Sequence, residues 1–279
     1  MVYVLDAILD GVIDTVKIVP FLFISFFIIE ILEHKLNSNK KLEKAGKLGP
    51  LFGSLLGIVP QCGIASIATN LYVTGIISVG TLISVFLSTS DEMIPILLSE
   101  NVSLKFIFIV LAIKFLIGVA SGFVIDLFYQ KKNTEDYSLC EEEHCHCEEH
   151  IFISALKHTV NISLFILVVN ILLNLIFSYG LEDLLSNLLL SDSIFSPFIT
   201  SLIGLIPNCA SSIIITKLYL VSSISFGSLI AGLLANSGIA LIILAKTNKN
   251  KKENLVIILL TYLIGVLVGI ILNFFKVAF

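Results

Sequence analysis

The chain has 279 residues, 57% of them hydrophobic and 14% charged, with a net charge of -4, against about 45–50% apolar and about 25% charged in an average soluble domain. Several apolar stretches are long enough to cross a hydrocarbon core of about 30 Å as helices, whereas a membrane barrel alternates over segments of about ten residues. A soluble enzyme and a porin-like barrel are thereby excluded, and an all-α integral membrane protein embedded in a lipid bilayer is expected. All 17 basic residues are Lys, so no guanidinium is present for bidentate anion capture. No basic face exists outside short loops, which excludes nucleic acid as a partner.

In chain order, Met1-Val-Tyr-Val-Leu-Asp6 has no basic residue ahead of its apolar run and no small-residue cleavage site, so no removable signal peptide is expected. An apolar helix is predicted over about 16–32, with Glu30 late in it and Glu33 and His34 one turn on. Glu30 either completes an internal site or lies at headgroup level beside the lysine-rich loop 33–49. Residues 50–98 form an apolar region broken twice, first at Gly57-Ile-Val-Pro60-Gln61-Cys62-Gly63. Proline removes a backbone donor, and unpaired backbone at membrane depth is tolerated only where it lines a cavity or is buried in protein. The second break is Ser88-Thr89-Ser90-Asp91-Glu92, where two carboxylates between apolar flanks point to ion binding or proton carriage. The same residues would be ordinary solvated charges in an extramembrane turn. A closing helix over about 105–128 carries Lys114, read with Lys217 as a snorkelling or paired side chain.

The loop that follows holds Cys140, His144, Cys145, His146, Cys147 and His150 among five carboxylates. Sulfur and imidazole at this density bind zinc-like ions, though the spacing is that of no zinc finger; the alternative is a solvated acidic linker. Beyond it the sequence repeats. Shifted by 147 positions, residues 54–128 align with 201–275 without a gap and with 26 identities in 75 positions. Residues 14–33 resemble 158–177 at an offset of 144, pairing Thr15 with Thr159 and Glu30 with Asn174. A repeat of this length means two structural halves. The breaks recur as Gly204-Leu-Ile-Pro207-Asn208-Cys209-Ala210 and Ala235-Asn236-Ser237-Gly238.

The lysines orient the halves, because cytoplasmic loops carry the Lys excess. Loops 33–49 and 246–253 are lysine-rich, while their repeat counterparts, 180–196 and 99–104, are acidic and lack Lys. That pattern requires an odd number of crossings per half, hence two inverted repeats of about five membrane segments with both termini outside, some segments being half-helices or re-entrant. Residues 1–128 form the first repeat, 129–157 a cytoplasmic linker and 158–279 the second, inverted repeat. Substrate sites of such folds form at mid-membrane where the repeats meet. The substrate-binding candidates are therefore Gln61, Cys62, Ser90, Asp91, Glu92, Asn208, Cys209, Asn236 and Ser237, with Glu30 and Asn174 opposite. Close helix packing around small residues is the competing reading of the Gly-Pro-Cys breaks.

With its paired Pro-Gln-Cys-Gly and Pro-Asn-Cys-Ala breaks, its Leu87-Ser-Thr-Ser-Asp-Glu-Met-Ile-Pro95 segment and its His/Cys-rich central loop, the chain resembles the ten-transmembrane heavy-metal exporter family. Members of that family are also labelled arsenic efflux proteins or manganese transporters. The resemblance covers essentially the whole chain and implies export of an ion across the cytoplasmic membrane. The leading expectation is a secondary exporter of manganese or a softer metal, coupled to protons through the membrane carboxylates, with no catalytic residues. No cofactor is expected beyond the transported ion and metal held by the 140–150 loop. Efflux of trivalent arsenic by two facing thiols remains open, as does a membrane thiol-redox enzyme using Cys62 and Cys209. A homo-oligomer is compatible with all three.

Overall fold

A computed structural model describes residues 48–59, 62–90, 93–129, 151–176 and 195–275, together with most positions between 9 and 27. Every described element is an α-helix. Those positions between 9 and 27 are helical. The helices that follow are α1 Gly49–Gly57, α2 Cys62–Val73, α3 Val79–Ser88, α4 Met93–Ser99, α5 Leu104–Phe128 and α6 Ile151–Ile176. The second set is α7 Ser196–Gly204, α8 Cys209–Leu220, α9 Phe226–Ala235, α10 Ala240–Thr247 and α11 Lys251–Phe274.

The helix ends recur because their signals recur. Proline occupies the first turn of both α1 and α7, where its missing N–H is one that has no helical partner. Ser78 caps α3 by accepting from the Thr81 N–H at 3.1 Å, and Ser225 caps α9 by accepting from the Ser228 N–H at 3.2 Å. Each cap is held by the far end of the closing helix: the Ser78 hydroxyl donates to Asp126 at 2.7 Å, and the Ser225 hydroxyl to Asn273 at 2.8 Å. That grip needs close backbone approach. A Cβ at Gly122 would stand 2.7 Å from the Gly80 carbonyl oxygen, and one at Gly269 would stand 2.7 Å from that of Gly227.

Packing partners fix the directions of the helices. Gly49 lies against Thr81 and Gly57 against Ser88, so α1 runs parallel to α3. Only residues 74–78 then join α2 to the start of α3. Such a link reaches at most about 20 Å, short of the roughly 30 Å that α1 and α2 would cover end to end. Helix α2 therefore turns back along α1, and the pair forms a hairpin whose tip lies at the level where α3 stops. Helices α7 and α8 repeat this, with Gly204 against Gly232 and Ala235 of α9.

Among the described residues, four apolar helical stretches are long enough to cross a membrane: Val79–Ser99, Leu104–Phe128, Phe226–Thr247 and Lys251–Phe274. The two interrupted ones are 75% and 94% buried, whereas the continuous α5 and α11 are each 28% buried and present apolar side chains outward. The broken segments thus form the centre and the unbroken helices clad it. Helix α6 starts at Ile151, within the stretch 129–157 expected as a linker; Ala155 is buried against the first helix and Phe152 packs edge-on to Phe23 at 5.3 Å. In both members of this pair a buried threonine, Thr15 or Thr159, donates to the carbonyl four residues back at 2.7 Å.

Candidate functional site

Of the residues singled out from the sequence, Gln61, Asp91, Glu92, Glu30 and the cluster Cys140, His144, Cys145, His146, Cys147 and His150 lie outside the described residues, as do the side chains of Cys62, Asn174 and Cys209. The remaining four are all deeply buried: Ser90, Asn208, Asn236 and Ser237 are at most 3% exposed. Among the described residues no three His, Cys, Asp or Glu side chains gather as a metal cluster.

Asn208 is the N-cap of α8; its side-chain oxygen accepts from the Ala210 N–H at 3.1 Å. This explains why a carboxamide follows Pro207: the chain leaves α7, and the restarting helix needs an acceptor for its first amides. Ser211, one turn on, donates to the Asn208 carbonyl at 2.7 Å and lies 3.5 Å from the Asn236 side-chain oxygen. Asn236 also accepts from the Gly238 N–H at 3.1 Å, which folds the break between α9 and α10 into a tight turn. The tip of the α7–α8 hairpin and the break in the neighbouring broken helix therefore share one polar patch.

In that patch the Ser237 hydroxyl is buried and has no hydrogen-bond partner among the described residues. A buried hydroxyl left unpaired costs about 1–3 kcal/mol, and such a group in a folded protein calls for a ligand, ion or water. Its equivalent, Ser90, donates to the Ser88 carbonyl at 3.1 Å. Among the described residues the buried hydroxyls of Ser163, Ser196 and Ser201 are likewise unpartnered, whereas Thr69 and Thr216 donate to the carbonyls four residues back, at 2.9 and 2.7 Å; of the unpartnered four, Ser237 is the one at a helix break.

Lys114 joins the two halves. It lies mid-way along α5, is 1% exposed, and its Nζ donates to the carbonyl of Thr89, just past the end of α3, and to that of Leu233 at 2.7 Å, in the last turn of α9. Last-turn carbonyls lack helical donors and carry the negative end of the helix dipole, so an amine donor satisfies both. Lys114 thereby brings the breaks after α3 and α9 to a single point. A lysine at this place in an apolar helix reads as snorkelling or paired; Lys114 is paired, and wholly internal. Lys217, by contrast, is exposed in the last turn of α8.

Sequence reasoning also missed a second buried charge. Glu253, 7% exposed, accepts a 2.5 Å hydrogen bond from the Tyr72 hydroxyl. Its backbone N–H is capped by Asn250 at 3.3 Å, so along the sequence it reads as an ordinary first-turn acid. The signal that marks it is the repeat itself, which puts Phe106 at the matching place. Tyr129, just beyond α5, is held above the usual tyrosine range first by burial and then by the charge of Glu253. The N-terminal end of α11 thus lies beside the C-terminal ends of α2 and α5.

The family comparison agrees with this all-helical, membrane-capable architecture. The model of the family described as "Putative, 10TM heavy-metal exporter" matches residues 2–182 and 151–278. No curated protein and no solved structure matches the chain. Four apolar helices of membrane-crossing length, and a family match that spans nearly every residue, make this a multi-pass membrane protein of the transporter class. The chain belongs to the ten-transmembrane heavy-metal exporter family.

Proposed function

We propose that the protein is a secondary exporter that moves a divalent metal ion, manganese or a softer heavy metal, out across the cytoplasmic membrane in exchange for protons. The observation that carries this reading is the convergence of interrupted helices from both halves on Lys114, through the Thr89 and Leu233 carbonyls. Secondary transporters bind their substrate where discontinuous helices of two repeats meet.

The halves are read as inverted repeats, and contacts between them support it. Gly80 lies against Gly122 and Asp126, so α5 runs antiparallel to α3 and ends where α3 begins. Glu253 at the start of α11 meets Tyr72 at that same end. Helix α11 therefore starts where its counterpart α5 finishes. Crossed packing agrees: α2 packs on α10, and the equivalent α8 packs on α4. In this reading the α1–α2 and α7–α8 hairpins are re-entrant, each half crosses an odd number of times, both termini are outside, and the 129–157 linker is cytoplasmic.

The ion site is assigned to Ser90, Asp91, Glu92, Asn236 and Ser237 at one pair of breaks and to Gln61, Cys62, Asn208 and Cys209 at the hairpin tips. Oxygen ligands of the first group suit manganese, and the thiols suit softer ions. The unpartnered Ser237 hydroxyl favours an occupant here. Asp91 and Glu92 are the proton-exchanging groups, Glu30 and Asn174 flank the path, and the six ligands from Cys140 to His150 collect metal ahead of it.

Expression in a metal-sensitive host, followed by elemental analysis against a panel of metals and arsenicals, tests this reading. Lowered cell content of one divalent metal supports it. Unchanged content of every metal, with depletion of trivalent arsenic alone, would replace the metal cation by an arsenical.

A further inference from the structure

We propose that the Lys114 ammonium is a tethered substitute for a monovalent coupling cation, so that transport by this chain requires neither sodium nor potassium. This deepens the exporter reading and rests on it for the transport measurement alone.

The two carbonyl oxygens that Lys114 meets among the described residues are of the kind that coordinate a monovalent cation. Among the described residues the backbone ladders of the flanking helices end with bonds from the Thr89 N–H to the Val85 carbonyl and from the Asn236 N–H to the Gly232 carbonyl. The Thr89 and Leu233 carbonyls thus lie beyond the regular ladder, at the negative ends of two interrupted helices. In transporters built from broken helices, unwound carbonyls and helix C-terminal ends of this kind coordinate sodium. An ammonium offers N–H donors and no acceptor, and a four-carbon stem reaches such a point from a neighbouring helix. The stem fixes the charge to α5: it can satisfy the carbonyls in every state but cannot be released to either side.

The repeat shows that the feature is specific. The position matching Lys114 is Thr261, whose hydroxyl donates to the Ile257 carbonyl of its own helix at 2.7 Å. One fixed cation therefore serves carbonyls from both halves, and no second copy accompanies it at the matching position.

The test uses purified full-length protein and proteoliposomes with sodium, potassium or choline as the only monovalent cation. Wild-type metal flux and melting temperature should be the same in all three. Lys114→Ala, which vacates the space, should lose flux at least about tenfold in choline and recover part of it in sodium or potassium. Its melting temperature should rise saturably, by about 2–4 °C, when one of those ions replaces choline. Lys114→Met, which fills the space without a charge, should respond to neither ion. Sodium- or potassium-dependent wild-type flux would overturn the proposal, as would a Lys114→Ala protein whose melting temperature is indifferent to both ions. The melting readout needs no metal transport; absence of wild-type flux in every salt would strike the exporter reading while leaving this test standing.

Discussion

Positions 72 and 106 of the first half correspond to 219 and 253 of the second, yet the two contacts they make across the halves are chemically opposite. At one end Tyr72 donates its hydroxyl to the buried Glu253 carboxylate at 2.5 Å. At the other, Tyr219 stacks on Phe106, with ring centroids 5.4 Å apart and planes 10° from parallel, and Phe226 closes edge-on against both rings. The position of Phe226 is occupied by Val79 in the first half. Duplication has preserved where side chains meet and not what they do. At one end an aromatic cluster packs across the halves; at the other the Tyr72–Glu253 hydrogen bond does so, beside the lysine-rich loop 246–253. The two contacts across the halves thus differ in chemistry, one aromatic and one polar.

The sharpest way to break the comparison is to move the acid. Phe106→Glu places a carboxylate between Tyr219 and Phe226 and should destabilise the protein by about 3–5 kcal/mol, read as a fall in melting temperature and yield; wild-type stability would mean the aromatic end is wet. A smaller loss, about 1–3 kcal/mol, is expected for Tyr72→Phe, which removes the tyrosine hydroxyl from the buried carboxylate. Adding Glu253→Phe to that variant rebuilds the aromatic chemistry of the opposite end. The double variant should then be more stable than the sum of the two single changes predicts, a coupling that a double-mutant cycle measures. The smallest effect belongs to Asp126→Asn. Asn273 already takes the equivalent serine hydroxyl with a carboxamide, but Asp126 also accepts from the Gly80 N–H at 2.9 Å, so one acceptor and the charge at the start of α3 are lost, about 1 kcal/mol in chemical denaturation.

Much of the architecture is legible in the sequence because it is written in residues with one local use. Pro50 and Pro197 open helices, Ser78 and Ser225 cap them, and Pro207 marks the end of α7, so a 147-residue offset aligns element with element. The direction of α2 is not legible, since an apolar 12-residue segment reads the same whether it continues a crossing or turns back. Only the short link to α3 decides it. Nor is Lys114 legible: a lone lysine in an apolar helix reads as a snorkelling cation, and its inward destination depends on Gly118 and Gly122 letting α5 close on α3. The Tyr72–Glu253 contact spans 181 positions, beyond any local pattern, and Glu253 is further masked by its role in the first turn of α11.

If the paired helix breaks form one metal-translocating site served by Asp91 and Glu92, metal uptake into proteoliposomes with a pH-sensitive dye inside, comparing wild type with Asp91→Asn and Glu92→Gln, will show it. Wild type should move a divalent metal against a counter-flow of protons, and at least one amide variant should lose that flux while melting at the wild-type temperature. Wild-type metal flux and proton counter-flow in both variants would contradict this and move the site away from the breaks.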